Sequence, residues 1–233
     1  DKYNEFDCDI EKLYQEYPPT AELAFKSSGT PFFNRKSLDH QRKTHERKPK
    51  RTGMYVVRNE KPEWLDGDGG LHVWEEPDSN SAYTIGVDVA TGRAADSSVL
   101  QVLKGMEQVA TFRGKIDADQ LADLASWVGA VYNDALIIPE RNGVGEATLL
   151  RLVNYLHYPN LYSHYKLDAT VGIEVKQYGF TMHKGNRMAL LDDVNSAVRT
   201  GRLILRDDRT LKEMERFVFT DETGKKAEAA PGS

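Results

Sequence analysis

Apolar and polar positions change period along the chain in a way that predicts strands and helices in a definite order. Tyr83 to Val89 is largely apolar and β-branched and carries one charge, Asp88, near its end, the pattern of a buried strand. A turn at Thr91-Gly92 separates it from a second apolar run, Ser98 to Leu103, and Lys104-Gly105 marks the turn before a third, Gln108 to Phe112. Three successive strands of this kind predict an antiparallel meander. From Asp117 to Tyr132 the period becomes helical: Leu121, Leu124, Ala125 and Val128 share one face, and Asp117 stands near the N-terminus, where an acid is favoured. Leu136-Ile137-Ile138 is a short strand whose last step delivers Pro139-Glu140, and the loop Arg141 to Gly145 leads into a second helix, Glu146 to Leu156. A third helix, Asn186 to Thr200, stops at Gly201. Leu203 to Leu205 reads as a strand, Asp208 to Glu215 as a helix and Arg216 to Thr220 as a strand.

Upstream the pattern is weaker. Met54 to Val57 and Leu71 to Trp74 are strand-like, with the turn Asp66 to Gly70 between them; that acidic loop lacks the twelfth-position glutamate of a calcium loop. Asp1 to Glu16 has approximate helical spacing at Phe6, Ile10, Leu13 and Tyr14, closed by Pro18-Pro19, and Thr20 could cap a short second helix. Both are too short to own a core. Between them and the strands lies Arg35 to Arg51, with Arg35, Lys36, Arg42, Lys43, Arg47, Lys48, Lys50 and Arg51 against only Asp39 and Glu46. Two readings stand side by side: a solvated linker, or an electrostatic contact to a phosphate backbone. The expected organisation is a linker-like segment 1–34, a basic linker 35–52 and an α/β domain 53–233.

Composition narrows the function classes. The chain has 233 residues, 39% hydrophobic and 29% charged, and a formal net charge of -5. No apolar run approaches the ~18 residues of a membrane span, and the N-terminus lacks the pattern of a signal peptide. The single cysteine, Cys8, excludes an internal disulfide and a cysteine-based zinc site. An intracellular setting is the economical expectation.

The chemistry rests on carboxylates at strand ends. Asp88 taken alone is either a turn-capping residue or a ligand. If the first and fourth strands are parallel neighbours, Asp88 and Glu140 adjoin at their C-terminal ends and can share a divalent metal. Hard cations such as Mg²⁺ take oxygen ligands, and an ion pair held about 3.5–4 Å apart can activate water and stabilise the leaving oxygen of a phosphodiester. Asp96 either reaches such a metal through water or fixes the turn. Asp192-Asp193 and Asp207-Asp208 read as a helix face and a helix start. His164 and His183 border loops. Lys184 and Arg187, at the start of the third helix, are candidate DNA contacts, as is Arg141, which could instead moderate repulsion within the acidic cluster.

Several strings together resemble one family. GVDVATGRAADSS resembles the first-strand aspartate motif of the nuclease domain of the large terminase subunit of tailed bacteriophages, and LIIPERNGVGEATL its fourth-strand acid with the Asn/Gly loop that follows. EYPPTAELAFKSSGTPFF resembles the segment linking the packaging ATPase to the nuclease, and ERFVFTDETGKKAEAAPGS the approach to the final acidic motif. The resemblance implies a ribonuclease H-like α/β fold, with a central mixed sheet (an antiparallel three-strand meander plus parallel strands) flanked by helices. It implies a DNA endonuclease that cuts concatemeric genomes during packaging, with Asp88 and Glu140 as catalytic metal ligands and a two-metal site of Mg²⁺ or Mn²⁺. Double-stranded DNA, held by Arg141, Lys184, Arg187, Arg42, Lys43, Arg47 and Lys48, is the implied substrate. The portal protein, the small terminase subunit and the ATPase motor are the implied partners, in the host cell cytoplasm. No P-loop string occurs. The family's third carboxylate is expected beyond Ser233, so weak metal affinity and low or absent cleavage are expected of these residues alone. Other readings are a resolvase or transposase of the same fold, an actin- or sugar-kinase-like ATP-binding protein on the strength of the GVDVATG turn, and a non-catalytic module docking on DNA or portal.

Overall fold

The structure is a computed structural model and describes residues 30–59, 61–90, 97–168, 170, 172–221 and 226–230. The expected helices within 1–29, the Thr91-Gly92 turn and Asp96 lie outside them. The chain divides into two compact units. One takes the described residues up to Glu46 together with those from Gly185 on, and the other is Arg47–Lys184. Residues 53–233, expected as one domain, therefore contribute to both.

The segment 35–52, expected as a basic linker, opens with a ten-residue helix, α1 (Arg35–Thr44). Asn34 caps it by accepting from the Ser37 N–H at 3.0 Å. Its buried residues are Leu38 and Gln41. The Gln41 side chain donates to the Leu203 carbonyl at 2.7 Å and accepts from the Leu205 N–H at 3.1 Å. That pairing also explains why Leu203 to Leu205 is not the expected strand: its backbone groups bond to a side chain instead of a neighbouring strand. Gln41→Leu is expected to strand a buried N–H and C=O and to cost about 1–3 kcal/mol for each unsatisfied group, read as a lowered urea midpoint. An unchanged midpoint would show that the pairing carries no stability.

In the larger unit, the described strands are β1 (Arg51–Arg58), β2 (Lys61–Asp66), β3 (Leu71–Val73), β4 (Tyr83–Asp88), β5 (Ser98–Lys104), β6 (Glu107–Gly114) and, after helix α2 (Ala118–Val131), β7 (Leu136–Pro139). Among the described residues they form a seven-stranded sheet in the order β2-β1-β3-β6-β5-β4-β7. The meander β4-β5-β6 is antiparallel, as expected, and β4 pairs with β7 in parallel. β2 is an exposed hairpin arm in which charged residues interrupt the apolar ones and Trp64 is half-buried against the core, which is why the sequence pattern does not mark it as a strand. Leu121, Leu124, Ala125 and Val128 of α2 are buried with Ile85, Leu100, Val102, Phe112 and Ile137 of the sheet in one core. Each large side chain so placed contributes about 1.5–3 kcal/mol relative to exposure.

The second helix is shorter than the expected Glu146–Leu156. α3 (Gly145–Leu150) gives way to a π-helical turn, Arg151–Tyr155. Arg151 forks onto Asp123 of α2 through Nε at 2.7 Å and Nη2 at 2.8 Å, and the Tyr158 N–H returns to the Leu152 carbonyl at 3.0 Å. A hairpin follows, β8 (Ser163–Asp168) and β9 (Ile173–Tyr178), paired antiparallel. It too was unforeseen: its apolar residues Tyr165, Leu167, Ile173 and Val175 are exposed.

In the smaller unit, α4 (Lys184–Arg199) and α5 (Asp208–Glu215) enclose Leu38, Ala197, Val198, Leu203, Leu205, Leu211 and Met214 with Phe32 and Phe33. β10 (Phe217–Phe219) pairs with β11 (Ala227–Ala229). Asp207 caps α5 by accepting from the Arg209 N–H. No described helix is long and apolar enough to cross a membrane.

Candidate metal centre

The parallel pairing of β4 and β7 places the two expected acids. The register runs Thr84↔Leu136, Ile85↔Ile137, Gly86↔Ile138 and Val87↔Pro139, and the Glu140 N–H donates to the Val87 carbonyl at 2.9 Å. Glu140 thus stands beside Asp88 at the C-terminal edge of the sheet. Side chains alternate between the two faces of a strand. Tyr83, Ile85 and Val87 are buried while Gly86 and Asp88 are exposed, and Ile137 and Pro139 are buried in the partner strand. Asp88 and Glu140 therefore share the face opposite to the buried one. Neighbouring strands lie about 4.8 Å apart, a spacing from which two carboxylates can converge on one cation or one pair of cations.

Glu140 is held from both sides. Across from β4, residue 180 forms a parallel bridge with it. The Phe180 N–H donates to the Pro139 carbonyl and the Arg141 N–H to the Phe180 carbonyl, each at 2.9 Å. The loop after Glu140 closes in a tight turn: the Gly145 N–H returns to the Asn142 carbonyl at 3.1 Å, and Gly143 has φ +57°. Gly145 packs so closely on Glu140 that a Cβ there would overlap the Glu140 carbonyl oxygen. The Asn142 side chain completes the frame, its Nδ2 donating to Glu140 Oε1 at 2.8 Å and to the Met182 carbonyl at 2.6 Å. The resemblance marks the Asn/Gly loop after the acid, in which Asn142 and Gly145 stand, but gives neither residue a role.

The other expected site residues are distributed unevenly. Arg141 is partly buried and reaches Glu146 and the Tyr178 carbonyl, each at 3.4 Å. It lines a groove of about 630 Å³ with Lys166 and Lys176 of the hairpin and Leu149, Leu150 and Val153 of the helical segment opposite. Lys184 ends the larger unit, two residues past Met182, whereas Arg187 belongs to the smaller one. Arg42, Lys43, Arg47 and Lys48 are likewise divided, the first two in the smaller unit and the last two in the larger. Arg42 is committed to Glu215 and, at 3.4 Å, to Asp208. The hydrogen bond to Glu215 holds its guanidinium above the ordinary arginine value, and a hydrogen bond from Lys212 chiefly holds the Asp208 carboxyl below the usual carboxylate range. Arg47 pairs with Glu75 at 3.4 Å; Lys43 and Lys48 are exposed. Asp192 and Asp193 lie exposed on α4, a solvated helix face as expected. His164 Nδ1 is buried and has no hydrogen-bond partner among the described residues. Among the described residues no group of three or more His, Cys, Asp or Glu is arranged to hold a metal.

No family model matches the chain, and no curated protein matches it. Solved structures do. The magnesium-bound large terminase nuclease from thermophilic phage G20c is similar with a TM-score of 0.58 and 15% identity, over 87% of this chain and 90% of that one. Its cobalt-bound form is similar with a TM-score of 0.57 and 17% identity, over 88% and 89%. The large terminase nuclease domain of Thermus phage P74-26 is similar with a TM-score of 0.52 and 17% identity, over 85% and 84%. The mixed sheet with its parallel β4–β7 pair and flanking helices is therefore the ribonuclease H-like fold of phage large terminase nuclease domains.

Proposed function

We propose that the protein is a metal-dependent DNA endonuclease, the nuclease part of a phage large terminase, which cuts concatemeric DNA during genome packaging in the host cell cytoplasm. The observation that carries this reading is the placement of Asp88 beside Glu140 on one exposed face at the C-terminal edge of a sheet with this fold. The donor set is hard oxygen, suited to Mg²⁺ or Mn²⁺, and the similar nuclease of phage G20c is known with bound magnesium, cobalt and zinc. Asp88 and Glu140 would hold the metal, with Asp96 as a further candidate ligand. A bound divalent cation supplies Lewis-acid stabilisation of the phosphoryl oxygens and a more acidic water. The chain's own part is to fix the two carboxylates, to orient the attacking water through Glu140, and to hold the DNA backbone without reading its sequence. Arg141, Lys184, Arg187, Lys43, Arg47 and Lys48 are the cations proposed for that last role. Arg42 can join them only by giving up Asp208 and Glu215. An ATPase motor, the small terminase subunit and the portal protein are the proposed partners.

Supercoiled plasmid incubated with the full-length protein and Mn²⁺ or Mg²⁺ is expected to be nicked and then linearised, and EDTA is expected to stop both. Nicking that proceeds equally in EDTA, or none at any divalent concentration, would sink the reading.

A further inference from the structure

We infer that Asn142 is a positioning residue for the metal centre: its side-chain amide orients the Glu140 carboxylate for the cation and ties it to the backbone at Met182. The inference rests on the proposed nuclease reading and adds to it a residue that neither the strand-end acids nor the basic candidates include.

The chemistry of the two contacts fixes how the amide is turned. Glu140 Oε1 and the Met182 carbonyl are both acceptors, at 2.8 and 2.6 Å from the same atom of Asn142. Only the NH₂ end of the side chain can serve them, and its two protons match the two acceptors. An amide rotated by half a turn would set its oxygen against two oxygens. The backbone beneath is equally determined, since the Asn142 carbonyl accepts from Gly145 while Gly145 packs on the Glu140 carbonyl. Glu140 carries three side-chain torsions, and its strand fixes none beyond the Cβ direction. The donation from Asn142 restrains the carboxylate at Oε1. Partners of this kind orient the ligand before the metal arrives, and their removal typically lowers metal affinity or activity by about 10–100-fold.

The second contact gives Asn142 a further consequence. Met182 lies past Phe180, the residue bridged to Glu140, and just before His183 and Lys184. One side chain therefore holds the acid and the start of the segment carrying a proposed DNA contact in a single arrangement. The residue is exposed, so a purely structural role at this position would have little to stabilise.

The test uses full-length protein and Mn²⁺, with bound ion read from loss of the free Mn²⁺ paramagnetic resonance signal and, separately, nicking of supercoiled DNA against Mn²⁺ concentration. Asn142→Ala is expected to raise the Mn²⁺ midpoint about 10–100-fold in both readouts. The thermal midpoint of the metal-free protein should stay at the wild-type value. Asn142→Asp, equal in shape but without the N–H donors, should do no better than alanine. A wild-type Mn²⁺ midpoint in Asn142→Ala overturns the inference. So does tighter binding in Asn142→Asp, which would make the position a ligand, and so does a fall in metal-free thermal midpoint that accounts for the lost activity. Failure of the underlying reading looks different: Asp88→Ala would then bind Mn²⁺ and nick DNA as wild type does.

Discussion

Asp88→Ala is expected to abolish metal-dependent nicking while leaving the folded protein as stable as before. The side chain is exposed at the last position of β4, and replacing such a residue typically changes stability by no more than about 0.5 kcal/mol. Its proposed work is in the transition state, where charge stabilisation through a metal amounts to several kcal/mol, or about a thousandfold in rate at 1.36 kcal/mol per decade. Glu140→Ala should be as severe, because the register places it at the same edge and face. Measured together, nicking rate and urea midpoint separate the proposal from a structural explanation. Retained nicking in Asp88→Ala, or a loss of activity that follows a loss of fold, would remove Asp88 from the site.

Gly145→Val should damage both activity and stability, and by a mechanism that no acidic residue shares. The first added carbon would overlap the Glu140 carbonyl oxygen. That oxygen belongs to backbone held between β4 and residue 180, so it cannot swing aside as a long side chain would. Either α3 lifts away or Glu140 moves. Forced overpacking of this kind costs about 1–3 kcal/mol, and displacement of a catalytic group by about 1 Å can cost on the order of 100-fold in rate. The variant is expected to show a lowered urea midpoint together with reduced nicking at saturating Mn²⁺. A variant that nicks at the wild-type rate would show that the loop yields without disturbing the acid.

The elements that were legible in sequence are those whose burial pattern matches their period. β4, β5, α2 and β7 each bury one face against a common core and their apolar residues repeat accordingly, while β6 is buried continuously from Gln108 to Phe112. Those that escaped notice satisfy themselves by other means. α1 buries only Leu38 and Gln41, and its glutamine is at home in a core because both ends of the amide are bonded. β2 and the β8–β9 hairpin are stabilised by backbone pairing and local contacts, Tyr55 against Trp64 across β1 and β2 and Lys176 over the Tyr178 ring within β9, and the alternating apolar residues of the hairpin stay exposed instead of joining a core. The run of positive charge from Arg35 to Arg51 reads as one patch along the chain, yet its members fall into two units, and Arg42 turns to acidic partners more than 160 residues away.

The succession β4, β5, β6, α2 and β7, the two acids at strand ends and the absence of a P-loop string were available from residues alone, because they depend on local pattern and on which residue types occur. The pairing of Asp88 with Glu140 was conditional on β4 and β7 being parallel neighbours, and only the tertiary structure could decide that. Register is a property of two strands at once: the Val87–Glu140 hydrogen bond joins residues 53 apart in number, and no local preference encodes it. The same holds for the frame around Glu140. Asn142 and Gly145 look like ordinary turn residues until the fold brings Met182 to one and the Glu140 carbonyl to the other.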